Sequence, residues 1–468
     1  MIKLRSGLLA VVLLILSLLQ LPFSKAEADV RSASNVLREA YPLSIYFLEA
    51  IEIVDAGIGK APALNWLATN WSDQFLPYCI EIRRFFWNAQ SVEALAAVFE
   101  EKTGLAWSDY DSLNQYVWSK NIRNTADYAQ FKQFFHTQID PRFERYFESD
   151  RRFNIRLDEI TWGGVVQDGI PPLRGPKMLK AAEASYLKDS NVVFGLEING
   201  DARAYPKRIL AWHEMFVDKV GGVSLAGVYC TLCGTVIAYD TEFEGTNHAL
   251  GTSGFLYRSN KLMYDQATQS LWSTLEGVPV VGPLVDKGIQ LRQYALVTTT
   301  WGEWKRRHPD TLVLSKKTGH QRNYDEGHAY HDYFATDERM FETPFTDERL
   351  KNKDEVLALR FAPEAERKLV ISEGFLRKHP IYEGSYNGQP YVVLTDASGA
   401  NRVYERPEDL TFTEWDQVEM VRDTEGHSWT LSEASLTTND GRRLERLAAH
   451  RAFWFCWHGA FPDTELIQ

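Results

Sequence analysis

Positive charge is scarce in this sequence, which contains 51 Lys and Arg against 63 Asp and Glu for a net charge of −12. A nucleic-acid-binding protein usually concentrates basic residues on one face, so the acidic balance argues against nucleic acid as a partner. Long apolar runs are also missing after the N-terminus, because no later segment reaches the roughly 20 residues that a membrane helix requires. We therefore expect no stable membrane span in the mature chain.

The N-terminus carries the pattern of an export signal. Lys3 and Arg5 precede the apolar run "LLAVVLLILSLLQLPF", and small residues stand in "AEA" at 26–28. Together these features predict a signal peptide over residues 1–28, cleaved after Ala28, and hence a periplasmic or secreted protein. An uncleaved anchor is the alternative, whereas a lipoprotein is disfavoured because no cysteine ends the run.

Cysteine is rare as well, with Cys79, Cys230, Cys233 and Cys456 the only four. Disulfides persist in exported proteins, but four cysteines allow three pairings and also metal binding, so the count fixes no pairing. The sequence has no nucleotide-binding motif, and "GTSG" at 251–254 is not the Gly-x-Ser-x-Gly of a serine nucleophile. Whether the protein is an enzyme stays open on these grounds.

Two kinds of sequence follow each other along the chain. From 29 to 150, apolar residues recur every three or four positions, as in "SVEALAAVFEEKTG", and predict an all-helical domain that buries tryptophans such as Trp87. From 151 to 468, short β-branched runs separated by Gly, Asn and Asp predict a β-rich domain. The expected fold class is therefore α+β, with the helical domain first.

Local signals predict some elements of the β-rich domain. Asn199-Gly200 within "NVVFGLEINGDARAYP" predicts a tight hairpin. Pro206 is expected to open a short helix over "KRILAWHEMFV". The segments "GVSLAGVYC" and "TVIAYDTEF" read as strands on either side of the cysteine pair, and Cys79 of the helical domain is expected to be a buried, inert thiol.

The β-rich domain also repeats itself, with one copy over about 190–314 and another over about 356–467. "VYCTLCGTVIAY" aligns with "VLTDASGANRVY", and "WGEWKRRHPDT" with "WFCWHGAFPDT". Matches in the same order predict two diverged tandem copies joined by a polar connection over 315–354. Features in both copies are expected to be structural, whereas those in one copy are candidates for function. The cysteine pair belongs to the second group, because it aligns with Thr395 and Ser398.

Several motifs together resemble a known bacterial family. "DGIPPLRGPK", "ARAYPKRILAWHEMFVDKVGG", "VYCTLCGTVIAYD", "GTSGFLYRSNKLMYDQATQSLWSTLEGVPVVGPL" and "TTTWGEWKRRHPDT" resemble the domain-of-unknown-function family numbered 3179, over roughly 155–467. The family has no established activity, so the resemblance implies a fold and a site but no reaction. The residues that it points to are His213, Glu214, Cys230, Cys233, Ser253, Gly254, Met263, Tyr264, Asp265 and Trp272.

Metal binding is the leading hypothesis for the Cys-x-x-Cys motif. A turn between two strands directs backbone amides at a thiolate, as in zinc knuckles. Two thiolates do not complete a tetrahedral site, so His213 is the expected third ligand, with Met263 or Glu214 as the fourth. Zn or Cu is the expected metal, and Met263 would suit Cu(I). The absence of a second Cys-x-x-Cys weakens a structural zinc assignment.

Other readings of the pair remain open. A redox dithiol usually lies at a helix N-terminus that lowers a thiol pKa, whereas "GTVIAYD" after the pair is strand-like. Gly234 follows the pair where covalent haem attachment requires His, so haem c is excluded. A purely structural disulfide, which only rigidifies the turn, is a further alternative. The protein would then be a binding module that holds a glycan or peptide on an aromatic surface.

The remaining histidines and the last cysteine are weaker candidates. His320, His328 and His331 lie in the polar connection, where an exposed cluster is favoured over a metal site. Cys456 aligns with Glu303 and, with His458, is a candidate for a site between the copies. Burial of Cys456 between Trp454 and Trp457 is the favoured interpretation.

Overall fold

The structure is a computed structural model that describes residues 42–86 and 89–468. The predicted signal peptide over 1–28 and Trp87 lie outside the described residues. The chain divides into two compact units, one up to Phe135 and one from His136 to Gln468. This division falls earlier in the chain than the boundary predicted at 150/151.

The first unit is built from helices. Its α-helices are α1 Pro42–Ala50, α2 Lys60–Thr69, α3 Leu76–Phe85, α4 Glu93–Thr103, α5 Tyr110–Ser119 and α6 Ala126–Thr137, which begins in this unit; short 3-10 turns span Asp73–Phe75 and Gln90–Val92. Helix α4 ends where Gly104 adopts a left-handed φ of 73°, as the "KTG" signal predicts. Cys79 in α3 is fully buried, which raises the pKa of its thiol and confirms the expectation of a buried cysteine.

The second unit is dominated by strands. They are β1 Ile160–Trp162, β2 Leu173–Arg174, β3 Met178–Lys180, β4 Val192–Ile198, β5 Asp201–Pro206, β6 Met215–Val220, β7 Val223–Cys230, β8 Thr235–Asp240, β9 Glu242–Phe243, β10 Thr246–Asn247, β11 Leu250–Tyr257, β12 Asn260–Asp265, β13 Leu271–Ser273, β14 Pro279–Val281, β15 Gln293–Tyr294, β16 Val297–Thr300, β17 Leu312–Leu314, β18 Glu355–Leu359, β19 Leu369–Ser372, β20 Ile381–Tyr386, β21 Gln389–Thr395, β22 Asn401–Glu405, β23 Phe412–Trp415, β24 Met420–Asp423, β25 Ser428–Leu431, β26 Ser435–Thr438, β27 Arg443–Glu445, β28 Ala449–Phe453 and β29 Glu465–Ile467. Short helices connect some of them: α7 Lys207–Leu210, α8 Trp301–Arg307, α9 His331–Phe334, α10 Glu373–Lys378 and α11 Trp454–Ala460, with 3-10 turns at Pro141–Tyr146, Leu157–Glu159 and Ala181–Glu183. The α+β class is therefore confirmed.

Two sheets of the second unit share a strand order. One reads β16-β4-β5-β17-β3 and the other β28-β18-β19-β29. Four strands correspond: each sheet has an antiparallel pair, β4–β5 or β18–β19, and a later strand in parallel beside it, β17 beside β5 and β29 beside β19. In the first sheet β3 pairs with the far side of β17. The β4–β5 hairpin turns at Asn199 and Gly200, whose φ values of 50° and 81° suit the predicted tight turn.

The helix predicted after Pro206 is much shorter than expected. Only Lys207–Leu210 is helical, and "MFVDKV" forms strand β6 instead. The helical prediction over "HEMFV" is wrong because Glu214 adopts a left-handed φ of 54°, which ends the turn and redirects the chain. Six residues of β6 then pair with β7 in antiparallel register, an arrangement that a propensity argument on a short window does not reveal.

The β7–β8 hairpin lies in the middle of the second unit. Val228 and Ile237 face one buried cluster, whereas Tyr229 and Val236 face another. Because both faces of this hairpin are covered, its sequence is a nearly continuous apolar run. The Cys-x-x-Cys motif forms the end of this buried hairpin.

Candidate thiol site

The Cys-x-x-Cys motif forms a tight turn between β7 and β8. The Cys233 amide donates to the Cys230 carbonyl oxygen at 3.1 Å. Gly234 follows with a φ of 62°, and a Cβ at this position would lie 2.8 Å from the Phe453 ring. Both the backbone angle and the packing therefore require glycine here.

Three of the four cysteines meet at this turn. Cys230, Cys233 and Cys456, which lies in α11 far along the chain, belong to one buried cluster. The Cys233 sulfur also lies 3.2 Å from the Ser259 carbonyl oxygen. All three are free thiols and almost fully buried, with exposed fractions of 3% for Cys230 and 0% for the other two. We call Cys230, Cys233 and Cys456 the thiol cluster.

Burial controls the acidity of the thiol cluster. It raises the pKa of Cys230 and Cys233 well above the ordinary range, and the hydrogen bond with Cys233 raises that of Cys230 further. Burial raises the pKa of Cys456 only to about 11, because the Cys233 hydrogen bond and the Arg339 guanidinium lower it. Cys456 is therefore the most readily ionised of the three, although all are protonated near neutral pH.

A buried ion pair lies beside the thiol cluster. Lys261 Nζ donates to Glu214 Oε2 at 2.8 Å, and both side chains are almost inaccessible to solvent. Burial, followed by the nearby Glu214 charge, raises the pKa of Tyr330. After burial and Cys233, the Glu214 carboxylate is a further cause of the raised pKa of Cys230. The charges near Cys230 thus favour its protonated form.

Four non-glycine residues around the site have left-handed backbone conformations. Glu214, Arg258, Ser259 and Tyr330 have φ values of 54°, 48°, 64° and 56°. Arg258 and Ser259 form the two-residue turn between β11 and β12, where glycine or asparagine is usual. Such conformations cost roughly 1–2 kcal/mol per residue and cluster at functional sites.

The predicted polar connection folds over the turn. The Tyr333 hydroxyl donates to the Leu232 carbonyl oxygen at 2.7 Å, and Lys353 Nζ lies 3.4 Å from the Tyr333 ring centroid. Ser259 Oγ donates to the Phe341 carbonyl oxygen at 2.9 Å. We call residues 330–353 the cover, since these contacts hold them against the thiol cluster.

Two predicted metal ligands are engaged elsewhere. His213 Nδ1 lies 2.9 Å from the Pro171 carbonyl oxygen, and its Nε2 lies 2.6 Å from the Tyr324 hydroxyl. Burial lowers the pKa of His213 to about 4, so its imidazole is neutral near pH 7. Met263 is fully buried in a cluster with Trp272. Of the predicted ligands, the structure brings together Cys230, Cys233 and Glu214.

The other residues that the family resemblance indicates make well-defined contacts in the β11–β14 region. Ser253 Oγ donates to the Leu262 carbonyl at 2.6 Å. The Gly254 carbonyl accepts from Gly163 at 2.8 Å. The Tyr264 hydroxyl donates to Asp168 at 2.6 Å, and the Trp272 indole donates to Asp265 at 3.3 Å. These bonds stabilise the strand ends and turns next to the site.

The histidines of the connection do not join the thiol cluster. The His320 ring lies 5.1 Å from His213, and the His328 ring lies 6.2 Å from Trp212. His320, His328 and His331 are exposed, as expected. Across the described parts of the chain, no group of three or more His, Cys, Asp or Glu side chains is arranged to hold a metal ion.

The sequence favoured burial of Cys456 and kept it, with His458, as a candidate for a site between the copies. Cys456 is buried with Trp454 and Trp457 on the same helix, as favoured, and it lies in one buried cluster with Cys230 and Cys233. One signal was available, since Cys456 aligns with Glu303 and so occurs in only one of the two predicted copies. Lys261 carried no comparable signal.

A comparison with protein families identifies the chain. A family model described as "Protein of unknown function (DUF3179)" matches residues 167–464. The chain belongs to the DUF3179 family. The thiol cluster, the ion pair and the cover all lie within the matched DUF3179 region. Searches of curated proteins and of solved structures found no match. Within 42–86 and 89–468, no helix has the length and hydropathy of a membrane span.

Proposed function

We propose that this DUF3179 protein is a thiol–disulfide redox protein. Cys230 and Cys233 would interconvert between a dithiol and a disulfide. The observation that carries the proposal is that one tight turn places two free, buried cysteines in the same cluster. Reduction of a substrate disulfide would transfer two electrons and two protons from the pair, leaving Cys230–Cys233 oxidised and the substrate as two thiols.

The proposal also includes a duplicated β-rich unit that uses the turn twice and the thiols once. It is supported by the shared strand order and by two equivalent hydrogen bonds, from Trp304 to Thr311 and from Trp457 to Thr464, both at 2.9 Å. In the second turn, Asp396 accepts from the amides of Ser398 and Ala400. A carboxylate can therefore stabilise this turn without thiols, which leaves the thiols free for another role.

Equilibration in glutathione or dithiothreitol redox buffers tests the redox proposal. We expect a two-electron transition of Cys230–Cys233 at a potential above about −300 mV, the region of exchangeable rather than structural disulfides. The full chain is alkylated after equilibration, and the modified peptides are counted by mass spectrometry. Cys79 is the internal control, since it lies in the first unit. A transition below that potential, or no transition, would exclude the redox function.

Binding of a soft metal ion is the second candidate function. It is favoured by the two cysteines of the turn, because soft thiolate ligands select Cu(I). The ligands would be Cys230 and Cys233, without the His213 and Met263 expected from sequence; Zn would need further ligands. Metal analysis of the purified protein separates the two functions. Stoichiometric metal that is lost in Cys233→Ser would favour metal binding.

Export remains part of the proposal, because a disulfide couple requires a compartment where thiols can be oxidised. The binding-module alternative has less support. Its aromatic surface would need exposed tryptophans, but most tryptophans of the second unit are buried: Trp272, Trp301, Trp304, Trp429, Trp454 and Trp457. Fractionation of the producing cells, with detection of the chain after removal of residues 1–28, tests the predicted export.

A further inference from the structure

We propose that Cys456 is a third redox-active thiol, and that Cys233 exchanges its disulfide bond between Cys230 and Cys456. This inference rests on the proposed redox function and extends it. The two possible disulfides would join very different parts of the chain. Cys230–Cys233 closes one turn, whereas Cys233–Cys456 joins that turn to helix α11.

Backbone hydrogen bonds fix Cys456 against the turn. The Phe453 amide donates to the Cys233 carbonyl oxygen at 2.7 Å, which anchors the segment just before α11. Asn260 Nδ2 donates to the Cys456 carbonyl oxygen at 3.0 Å. Asn260 adjoins Ser259, the residue whose carbonyl accepts the Cys233 thiol. One backbone bond and one side-chain bond therefore hold Cys456 close to Cys233, within one buried cluster.

Cys79 provides a comparison for Cys456, because it is a buried cysteine for which we propose no redox role. Burial is the single cause of the raised pKa of its thiol. Cys456 is just as buried, but it has Cys233 and Arg339 as neighbours that lower its pKa. Burial between aromatic side chains does not require such neighbours, so packing alone does not account for the environment of Cys456.

The exchange step balances without an external reagent. The Cys456 thiol loses its proton and attacks Sγ of Cys233 in the Cys230–Cys233 disulfide. A Cys233–Cys456 bond forms, the Cys230–Cys233 bond breaks, and Cys230 leaves as a thiolate that takes up the proton. The number of disulfides and of electrons is unchanged. Cys456 suits the attacking role because it ionises more readily than the other two thiols.

Disulfide mapping in three full-length variants tests the exchange. Cys230→Ser, Cys233→Ser and Cys456→Ser are equilibrated in the same glutathione buffer, alkylated and digested without reduction. We expect Cys230→Ser to form Cys233–Cys456, Cys456→Ser to form Cys230–Cys233, and Cys233→Ser to lose both disulfides. Circular dichroism establishes that each variant is folded.

The outcomes separate this inference from the proposed function. If Cys456→Ser forms Cys230–Cys233 but Cys230→Ser forms no disulfide, the exchange is wrong and the redox function stands. If Cys456→Ser forms no disulfide, the proposed function fails. A Cys230–Cys456 disulfide in Cys233→Ser would overturn the central role of Cys233. Should a variant not fold, partially oxidised wild-type protein replaces it: both disulfides are expected among its peptides, and absence of Cys233–Cys456 would overturn the exchange.

Discussion

The Cys233 sulfur and the Ser259 carbonyl oxygen lie 3.2 Å apart, and Ser259 also donates its hydroxyl to the cover at Phe341. One residue therefore contacts both a thiol and the segment that shields it. Ser259 lies in the β11–β12 turn with a left-handed φ of 64°. This arrangement links access to Cys233 with the position of the cover.

Ser259→Ala should accelerate alkylation of Cys233. The substitution removes the hydroxyl bond to the cover and keeps the backbone conformation. A lost hydrogen bond is worth roughly 0.5–1.5 kcal/mol, so local opening should increase about two- to tenfold. The rate of iodoacetamide labelling under native conditions measures this effect. Ser435→Ala is the control, since Ser435 is equally buried but lies in β26. Equal labelling in both variants would show that the cover does not limit access.

Tyr333→Phe should also accelerate alkylation of the cysteines in the turn. It removes the hydroxyl that donates to the Leu232 carbonyl between the two cysteines and retains the ring beneath Lys353. We expect about 1 kcal/mol of destabilisation and faster labelling of Cys230 and Cys233. Tyr404→Phe is a matched control, because Tyr404 donates to the Ser432 carbonyl at 2.6 Å in another sheet. The control should lose stability without a change in labelling rate.

The features of the site differ in how far the sequence predicts them. The Asn199-Gly200 hairpin was predictable because its signal lies in adjacent residues. The proximity of Cys456 to Cys233 was not predictable, because the two residues lie in distant segments and meet only through the packing of α11. His213 was assigned to the cysteines because it lies one strand before them. In the structure, Glu214 has a left-handed backbone conformation, and the chain changes direction there. The His213 ring hydrogen-bonds with the Pro171 carbonyl oxygen and the Tyr324 hydroxyl instead.

The reduced protein should lose stability at alkaline pH. A thiol is neutral when protonated, and burial raises the folded-state pKa of the thiol cluster above the ordinary cysteine value of 9.0. Stabilisation from these thiols is complete below pH 9 and falls as the pH rises above it, since the unfolded chain then holds fewer protons. Each thiol contributes about 1.4 kcal/mol per pH unit in that window. For Cys456 the window extends to its pKa of about 11.

Thermal unfolding between pH 8 and 10.5, with and without reductant, measures this loss. Oxidation removes two of the titrating thiols, so the oxidised protein should lose less stability over the same range. Cys79 and the tyrosines titrate in both forms and cancel in the comparison. Identical pH profiles for the two forms would contradict buried, protonated thiols.

The two disulfides should differ in how much they stabilise the fold. A bond between Cys230 and Cys233 closes a short loop and restricts the unfolded chain by roughly 2 kcal/mol, whereas one between Cys233 and Cys456 closes more than 200 residues and contributes about 5 kcal/mol. Urea unfolding of oxidised and reduced forms tests this in Cys456→Ser and Cys230→Ser. The gain on oxidation should be larger in Cys230→Ser. An equal gain would indicate that native-state strain cancels the difference.

Glu214→Gln should destabilise the protein and expose the electrostatic role of the ion pair. It leaves the Lys261 ammonium buried without its carboxylate, which typically costs 3–5 kcal/mol. It also removes one of the charges that raise the pKa of Cys230, so Cys230 should be alkylated faster at a given pH. Glu214→Gln/Lys261→Met removes both charges and should recover most of the stability. Because the carboxylate is absent from both variants, accelerated labelling of Cys230 should persist in the double variant. If labelling instead returned to the wild-type rate as stability recovered, the acceleration would reflect local unfolding rather than the loss of the Glu214 charge.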